Sequence, residues 1–516
     1  MSLVIEEPVV ESPAEVARIR VDSLADSVML LLVMTLAQRL IGFGRSVLFC
    51  RWLDAEQLGV WDIAYGFVML AAPLSVLGLP GSFGRYVEYY RRRGQLRMFL
   101  TRTSWVSLIA CAALVVAVIV ARTWFSQLIF GRVDQANLVI LVAFCLASFA
   151  VHNFLGSLFM AVRLYRVVSI SQFVQSCGFA ILSIGMLLIW PATSEIVVIA
   201  FGLASLAAVV GSLPWLRSVW QAQPESSEEV PHRSFWTKLA PFAMWVWITN
   251  LLSNMFEVVD RYMIVHFGGL DTASALREVG AYHSSRIIPL LLVAIGALLG
   301  AMMTPHLCHD WELGKRSSVA SRLNLVLKAL AMSMYFAAVA VIVIAPWLFE
   351  TAFQSKFAGG LDVLPWTFAY CIWFGLFPVA QNYLWCVEKA RLATLALALG
   401  IVLNIGLNLL LLRPFGLHGA VWATTAANLL VLALTYGFCV LHGLKIERAV
   451  WLLSAAPLAL GCGLVCAVSV ALIMIGLTIR SEVVFSEAEK REVLASILAR
   501  VGKFLPARFA AYQRPL

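Results

Sequence analysis

Apolar runs that are uncharged or nearly so recur along most of the chain at a length of about 20 residues, which is what a helix rising 1.5 Å per residue needs to cross a hydrocarbon core about 30 Å thick. They predict spans at 27–50, 58–80, 99–121, 137–160, 169–190 and 196–216. A polar stretch from Arg217 to Lys238 follows, and a second set reads 239–266, 279–304, 322–346, 362–387, 392–412 and 417–441. The runs do not alternate polar and apolar residues as the strands of a transmembrane barrel must. The expected fold is therefore an all-α polytopic membrane protein, with twelve core helices in two six-helix lobes at 27–216 and 239–441. A polar cytoplasmic tail at 1–26 precedes them and a cytoplasmic linker at 217–238 joins them. A thirteenth uncharged run, 451–477, reads as one extra membrane segment. The tail 478–516 is basic, and within it Ser486 to Phe504 forms an amphipathic pattern (Val493, Leu494, Ile497, Leu498, Val501, Phe504) suited to a membrane surface.

Composition strengthens this reading. The chain is 61% hydrophobic and 13% charged, with a mean hydropathy of +0.88, against roughly 45–50% and about 25% in soluble domains. The net charge of +9 does not point to nucleic acid, because the basic residues sit in short loops between spans. They set orientation instead. With the N-terminus in the cytoplasm, the loops on that side of the twelve spans hold twenty-one Lys and Arg and the opposite loops six, as the positive-inside rule requires. The end of the chain conflicts with it: a single crossing at 451–477 leaves Arg480, Lys490, Arg491 and further basic residues outside. The first 26 residues lack the short apolar core of a removable signal peptide. The cysteines show no CxxC pair or metal-ligand spacing, and no GxSxG, Walker A or HExxH motif occurs, so neither an enzyme nor a bound cofactor or metal is expected.

The two halves repeat. Gly59, Trp61 and Tyr65 recur as Gly280, Tyr282 and Arg286 at a constant offset of 221. An even number of spans per half makes the repeats parallel about an axis along the membrane normal, an arrangement of transporters that bind cargo between lobes. Ionisable residues inside spans cost about 2.5–3.5 kcal/mol at a helix centre and need a partner or a wet cavity. At 100° per residue, Thr35, Gln38, Arg39, Gly42, Arg45 and Ser46 share one face of the first span. Asn250, Ser253, Asn254, Glu257, Asp260 and Arg261 do the same on the seventh, Arg286 enters the eighth about one and a half turns in, and Asp62 opens the second. If these faces meet, Arg39, Arg45 and Arg286 give one cavity a positive lining suited to phosphate oxygens. Each arginine also has a plainer reading, snorkelling or pairing with a carboxylate. Glu257 and Arg261 stand at i, i+4, where an ion pair is the ordinary outcome. Asp62 either carries a coupling proton or accepts a hydrogen bond, and Asn404 and Asn408 read as interhelical hydrogen-bonding groups.

These residues in order resemble the polysaccharide-transporter branch of the multidrug/oligosaccharidyl-lipid/polysaccharide exporter superfamily, which holds Wzx-type O-unit flippases and the lipid II flippase. The resemblance spans 27 to about 441. It rests on Gly42-Phe-Gly-Arg45-Ser46 leading to Leu58-Gly-Val-Trp61, Gly78-Leu-Pro80, Arg85 to Gly94, Asp260-Arg261, Gly280-Ala-Tyr282 to Arg286, Asn404 to Asn408, Gly416-Leu-His-Gly-Ala420 and Ala423-Thr424. It implies two lobes in a V that alternate in access around a cationic cavity, in a bacterial cytoplasmic membrane with the N-terminus inside. Arg39, Arg45 and Arg286 match arginines required in lipid II flippases, and Asp62 matches an acidic position. Asp62, Glu257, Asp260 and Arg261 are the candidates for coupling or cavity ion pairs. The implied cargo is an undecaprenyl-pyrophosphate-linked oligosaccharide. The implied partners are membrane lipids and, as further candidates, a polysaccharide polymerase and chain-length proteins, for a chain acting as a monomer. The alternatives are a lipid II flippase, a multidrug/ion antiporter of the same fold, and a membrane polymerase or ligase. A drug exporter calls for carboxylates at the cavity centre, a polymerase for a large external loop, and the lipid II flippase for two additional helices where this chain shows one extra run.

Overall fold

The computed structural model describes residues 24–222, 231–480, 484–487 and 490. The N-terminal tail, the middle of the 217–238 linker and most of the amphipathic pattern at 486–504 lie outside the described residues. Every regular element described is helical. The first half holds α1 (Leu24–Trp52), α2 (Ala55–Ser75), α3 (Phe83–Arg92), α4 (Leu96–Val120), α5 (Arg122–Phe130), α6 (Ala136–Ala161), α7 (Tyr165–Ile189) and α8 (Ser194–Gln221), with a 3₁₀ turn at Leu79–Ser82. The second holds α9 (His232–Phe267), α10 (Thr272–Arg286), α11 (Pro289–Glu312), α12 (Arg316–Thr351), α13 (Ala358–Cys386), α14 (Ala390–Leu441), α15 (Arg448–Ala455), α16 (Leu458–Gly461) and α17 (Leu464–Arg480). Among the described residues nine helices are long and apolar enough to cross a membrane. The helices α1 and α9 are outside that set at 29 and 36 residues, and they carry the two polar faces read from the sequence. Large apolar side chains such as Trp105, Ile109, Ile181, Val343, Trp347, Val402 and Leu410 are exposed, which suits a protein solvated by lipid.

The structure redraws three spans. The eighth is broken: Asp271 caps α10 by accepting the Ser274 N–H at 3.1 Å, α10 ends at Arg286, and α11 begins at Pro289, whose ring removes a helical N–H donor. Arg286 therefore closes a short helix at a break and does not sit one and a half turns into a long one. The spans at 392–412 and 417–441 are the two arms of α14, which turns at Gly416 (φ 52°, ψ −133°), a conformation that favours glycine. A Cβ on Gly419 would collide with the Leu411 carbonyl, so the arms fold back closely.

The third change concerns 451–477, which is not one crossing. The Lys328 ammonium on α12 binds Glu447 just before α15 at 2.7 Å and stands 5.3 Å from the ring of Phe485 just after α17. The chain thus enters and leaves beside the same residue. Between these points Ser454 accepts the Trp373 indole N–H at 2.7 Å, Gly461 meets the Trp366 ring, and Gly463 turns the chain at φ 103°. The segment is a helical hairpin. It turns the chain back along α12, with Thr478 against Met332 and Phe485 against Lys328, so the residues after it need not lie opposite the basic loops.

Within the first half α1 packs on α7, and α6 lies against α2, α4 and α8; in the second, α13 is central to α10, α11, α12 and α14. The halves meet through α2 against α9 and α10. A Cβ on Gly59 would strike the Leu276 carbonyl and one on Gly280 the Ala55 carbonyl. Ala55 and Leu276 are again 221 apart, so the contact is the same patch used twice about the repeat axis, as a two-fold interface requires. Small residues allow this approach in a membrane, where packing drives association. Gly59→Leu is expected to force α2 from α10 and lower the thermal midpoint by several degrees. Gly185→Ala, with open space beside it, is expected to leave it unchanged or slightly raised; thermal unfolding in detergent reads both.

Candidate functional site

The lobes touch at two levels. One is the α2/α10 contact. At the other, Tyr86 donates to the Lys238 carbonyl at 3.2 Å and Gly78 packs against Trp247. Between them lies a cavity of about 500 Å³, within the range of about 300–1,000 Å³ usual for ligand sites. Its wall takes Gln38, Arg39, Arg45 and Ser46 from α1, Asp62 and Tyr65 from α2, Arg261 from α9 and His283 and Arg286 from α10. The polar face of α1 is thus turned into the cavity, with α6 and α7 completing the wall.

A buried carboxylate joins the lobes. Asp62, 1% exposed, is ion-paired with Arg261 Nε at 2.7 Å and with His283 Nδ1 at 2.7 Å. Arg261 therefore does not form the expected i, i+4 pair with Glu257. The buried Asp62 offers a charge partner in a low dielectric, where Coulomb attraction is strongest, while Glu257 is exposed and not part of the cavity wall. Asp62 and His283 are themselves 221 apart: the two repeats bond to each other at equivalent positions.

Three arginines remain. The Arg45 guanidinium lies over the Phe179 ring at 4.0 Å, a cation–π contact that holds it without neutralising it. Arg286, 5% exposed, donates through Nη2 to the Glu257 backbone carbonyl at 3.5 Å and stands 5.1 Å over Tyr282. Arg39 lines the cavity from the next turn of α1. Among the described residues no carboxylate lies within ion-pairing distance of these three, and the Nε atoms of Arg45 and Arg286 are buried without a hydrogen-bond partner. Such donors are costly unless an acceptor arrives. The cavity can accept an anion with several oxygens.

Asp260 goes elsewhere. Neighbouring helix positions diverge by 100°, so while Arg261 faces α2, Asp260 faces the interior of the second lobe. There it accepts from Tyr282 at 3.0 Å, Asn404 at 3.0 Å, Asn408 at 3.1 Å and Thr424 at 2.6 Å. Asn404 and Asn408 do bridge helices, and their target is this carboxylate. No basic side chain pairs with it among the described residues. Sequence reasoning brought Arg39, Arg45 and Arg286 to one cavity on condition that the polar faces meet, and grouped Asp62, Glu257, Asp260 and Arg261 as coupling or cavity ion pairs; the structure sets Asp62 and Arg261 in the wall with the three arginines and leaves Asp260 and Glu257 outside it. It missed His283, which the 221 offset applied to Asp62 would have found. It also missed His152, Asn153, Gln172 and Gln175 on α6 and α7, for which no spacing signal exists.

The family model described as Polysaccharide biosynthesis protein matches residues 24–305. The chain is 19% identical over 436 residues, 78% of its length and 80% of the relative, to the lipid II flippase MurJ of Bacillus subtilis (strain 168). It is 22% identical over 377 residues, 72% of its length and 86% of the relative, to a Shigella flexneri protein named "Putative O-antigen transporter". Among solved structures, lipid II flippase MurJ in an inward closed conformation superposes with a TM-score of 0.62 at 14% identity, over 88% of this chain and 99% of that one. An inward-facing multidrug resistance MATE family transporter of the MOP superfamily gives 0.62 at 13% identity, over 80% and 98%.

Proposed function

This chain belongs to the family described as Polysaccharide biosynthesis protein, and from that premise we propose that it is a multi-pass membrane transporter of the MOP superfamily, a flippase for an undecaprenyl-pyrophosphate-linked oligosaccharide. The observation that carries the reading is the trio Arg39, Arg45 and Arg286, three guanidiniums in a cavity between the lobes with no carboxylate partner among the described residues. A diphosphate supplies the oxygens their forked donors lack; a cationic drug would be repelled. Cargo moves by alternating access. The Asp62–Arg261–His283 cluster and the Gly59/Gly280 contact close the outer side and part when the cavity opens outward, while Asp260 is the buried group through which a proton or another cation couples to that motion. Two lobes, 27–216 and 239–441, rock about this site in the cytoplasmic membrane.

In detergent, a polyprenyl diphosphate at a hundred times its Kd is expected to stabilise the protein by about 2.7 kcal/mol, a clear upward shift of the melting point, with no shift from a quaternary ammonium drug. A shift from the drug alone would contradict the reading. For orientation, a fluorescent protein fused to the C-terminus is expected to fluoresce and alkaline phosphatase fused there to stay inactive, because the hairpin brings the chain back to the side of the basic loops; an active phosphatase would reverse that placement.

A lipid II cargo is the second reading. That flippase calls for two additional helices, and α15, α16 and α17 supply two helical legs after the twelve core spans, which supports this reading.

A further inference from the structure

A second cavity of about 320 Å³ opens off the first. It lies among the C-terminal part of α2, the 3₁₀ turn, α6, α7 and the middle of α9. His152, Asn153 and Gln172 line both cavities, so the two are contiguous. Their chemistry differs sharply. The first has arginines and an aspartate in its wall; the second has no Asp, Glu, Lys or Arg among the described residues that line it. What lines it is neutral and hydrogen-bonding: His152, Asn153, Ser157, Ser171, Gln172 and Asn250, set among apolar walls.

One of these groups is waiting for a partner. His152 is 6% exposed and its Nδ1 has no hydrogen-bond partner, although a buried polar nitrogen in that position costs free energy when unpaired. The serines are spent locally: Ser157 donates to the Asn153 carbonyl at 3.0 Å, and Ser171 shares a hydrogen bond with Ser212 at 3.1 Å. Side-chain amides each offer donors and an acceptor, which is the complement of a sugar hydroxyl. Such a wall leaves a phosphate's charge uncompensated, and a lipid tail would leave the amides unsatisfied.

Resting on the flippase reading, we propose that this chamber is the glycan subsite: the diphosphate sits on Arg39, Arg45 and Arg286, and the first sugars extend past His152 into the neutral chamber, where Gln172 and Asn250 hydrogen-bond their hydroxyls. Affinity then has two separable parts, a charge part shared by all polyprenyl diphosphates and a neutral part that only a glycosylated one gains.

Tryptophan-fluorescence titration of the purified full chain measures both, with farnesyl diphosphate and farnesyl diphosphate bearing a trisaccharide as probes. The wild type is expected to bind the glycosylated probe about tenfold more tightly, the worth of one or two neutral hydrogen bonds. Gly156→Leu fills the chamber from a position with open space beside its Cα, and Asn250→Ala removes an amide that lines only the chamber. Both are expected to bring the ratio towards one while the Kd for bare farnesyl diphosphate stays fixed. Equal affinity for the two probes in the wild type overturns the subsite, as does an unchanged ratio in both variants or an equal loss for both probes. Arg286→Ala separates the two readings: a common weakening of both probes with the ratio intact supports the arginine site, and no weakening counts against that site while the ratio still reports on the chamber.

Discussion

Arg286→Ala is expected to reduce translocation of a lipid-linked oligosaccharide by about a hundredfold with the protein still folded. The size is the low end of what the side chain offers: a forked pair of charge-assisted hydrogen bonds to a diphosphate, each worth about 1.5–3 kcal/mol, of which a hundredfold change in affinity takes about 2.7 kcal/mol. The fold tolerates the change because Arg286 closes α10 at a break, holds no carboxylate among the described residues and makes one long bond to a backbone carbonyl. Arg286→Lys keeps the charge and loses the fork, so an intermediate loss is expected. The check is transport into proteoliposomes beside a thermal melt; a melt that drops with transport would mean the arginine works in folding.

Asp62→Ala is expected to have the largest effect on stability. It removes the carboxylate that compensates Arg261 and is paired with His283 across the lobes, leaving a guanidinium that is 7% exposed without a counter-charge among the described residues. Breaking a buried pair from one side costs about 3–5 kcal/mol. Adding Arg261→Leu removes the stranded charge and is expected to recover much of the loss. Most of the ten cysteines are buried or half-buried, so a thiol-reactive dye followed through a thermal ramp reads the midpoint directly. Equal midpoints for wild type and Asp62→Ala would show that the cluster holds nothing together. In the alternating-access cycle proposed above, this cluster ties the lobes and breaks each time the cavity opens outward, so the pair acts as a latch and not as a cargo site.

The membrane fold was legible because lipid leaves the chain few choices. Spans of about 20 apolar residues must be helices, and the run predicted at 137–160 lies within a residue of α6 at either end. The α1 face was legible for the same reason: Arg39 and Arg45 cannot point at lipid, so they point at a cavity. Breaks were harder. Arg286 sits where Pro289 interrupts an otherwise apolar run, and a run of hydropathy hides a proline's missing N–H. The C-terminal hairpin was hidden likewise, since Gly463 in an uncharged stretch carries no charge mark to show a turn, and only the double attachment at Lys328 reveals it. Partners on other helices were beyond reach. Nothing near Arg261 in the sequence says that it prefers Asp62 to Glu257, and nothing near Asp260 says that it faces α14; those choices belong to packing. The exception is His283, where the internal repeat already held the answer.

The central claim is that this cavity carries a lipid diphosphate across the bilayer. The direct measurement is a dithionite-quench assay on proteoliposomes holding a fluorescent undecaprenyl-pyrophosphate-linked oligosaccharide in both leaflets. With the wild-type chain, the quenched fraction is expected to rise from about half towards all of the fluorescence. Arg286→Ala is expected to hold it near half, as in protein-free vesicles. Wild-type protein that also leaves it at half, in vesicles energised by both a proton gradient and a membrane potential, would contradict the account.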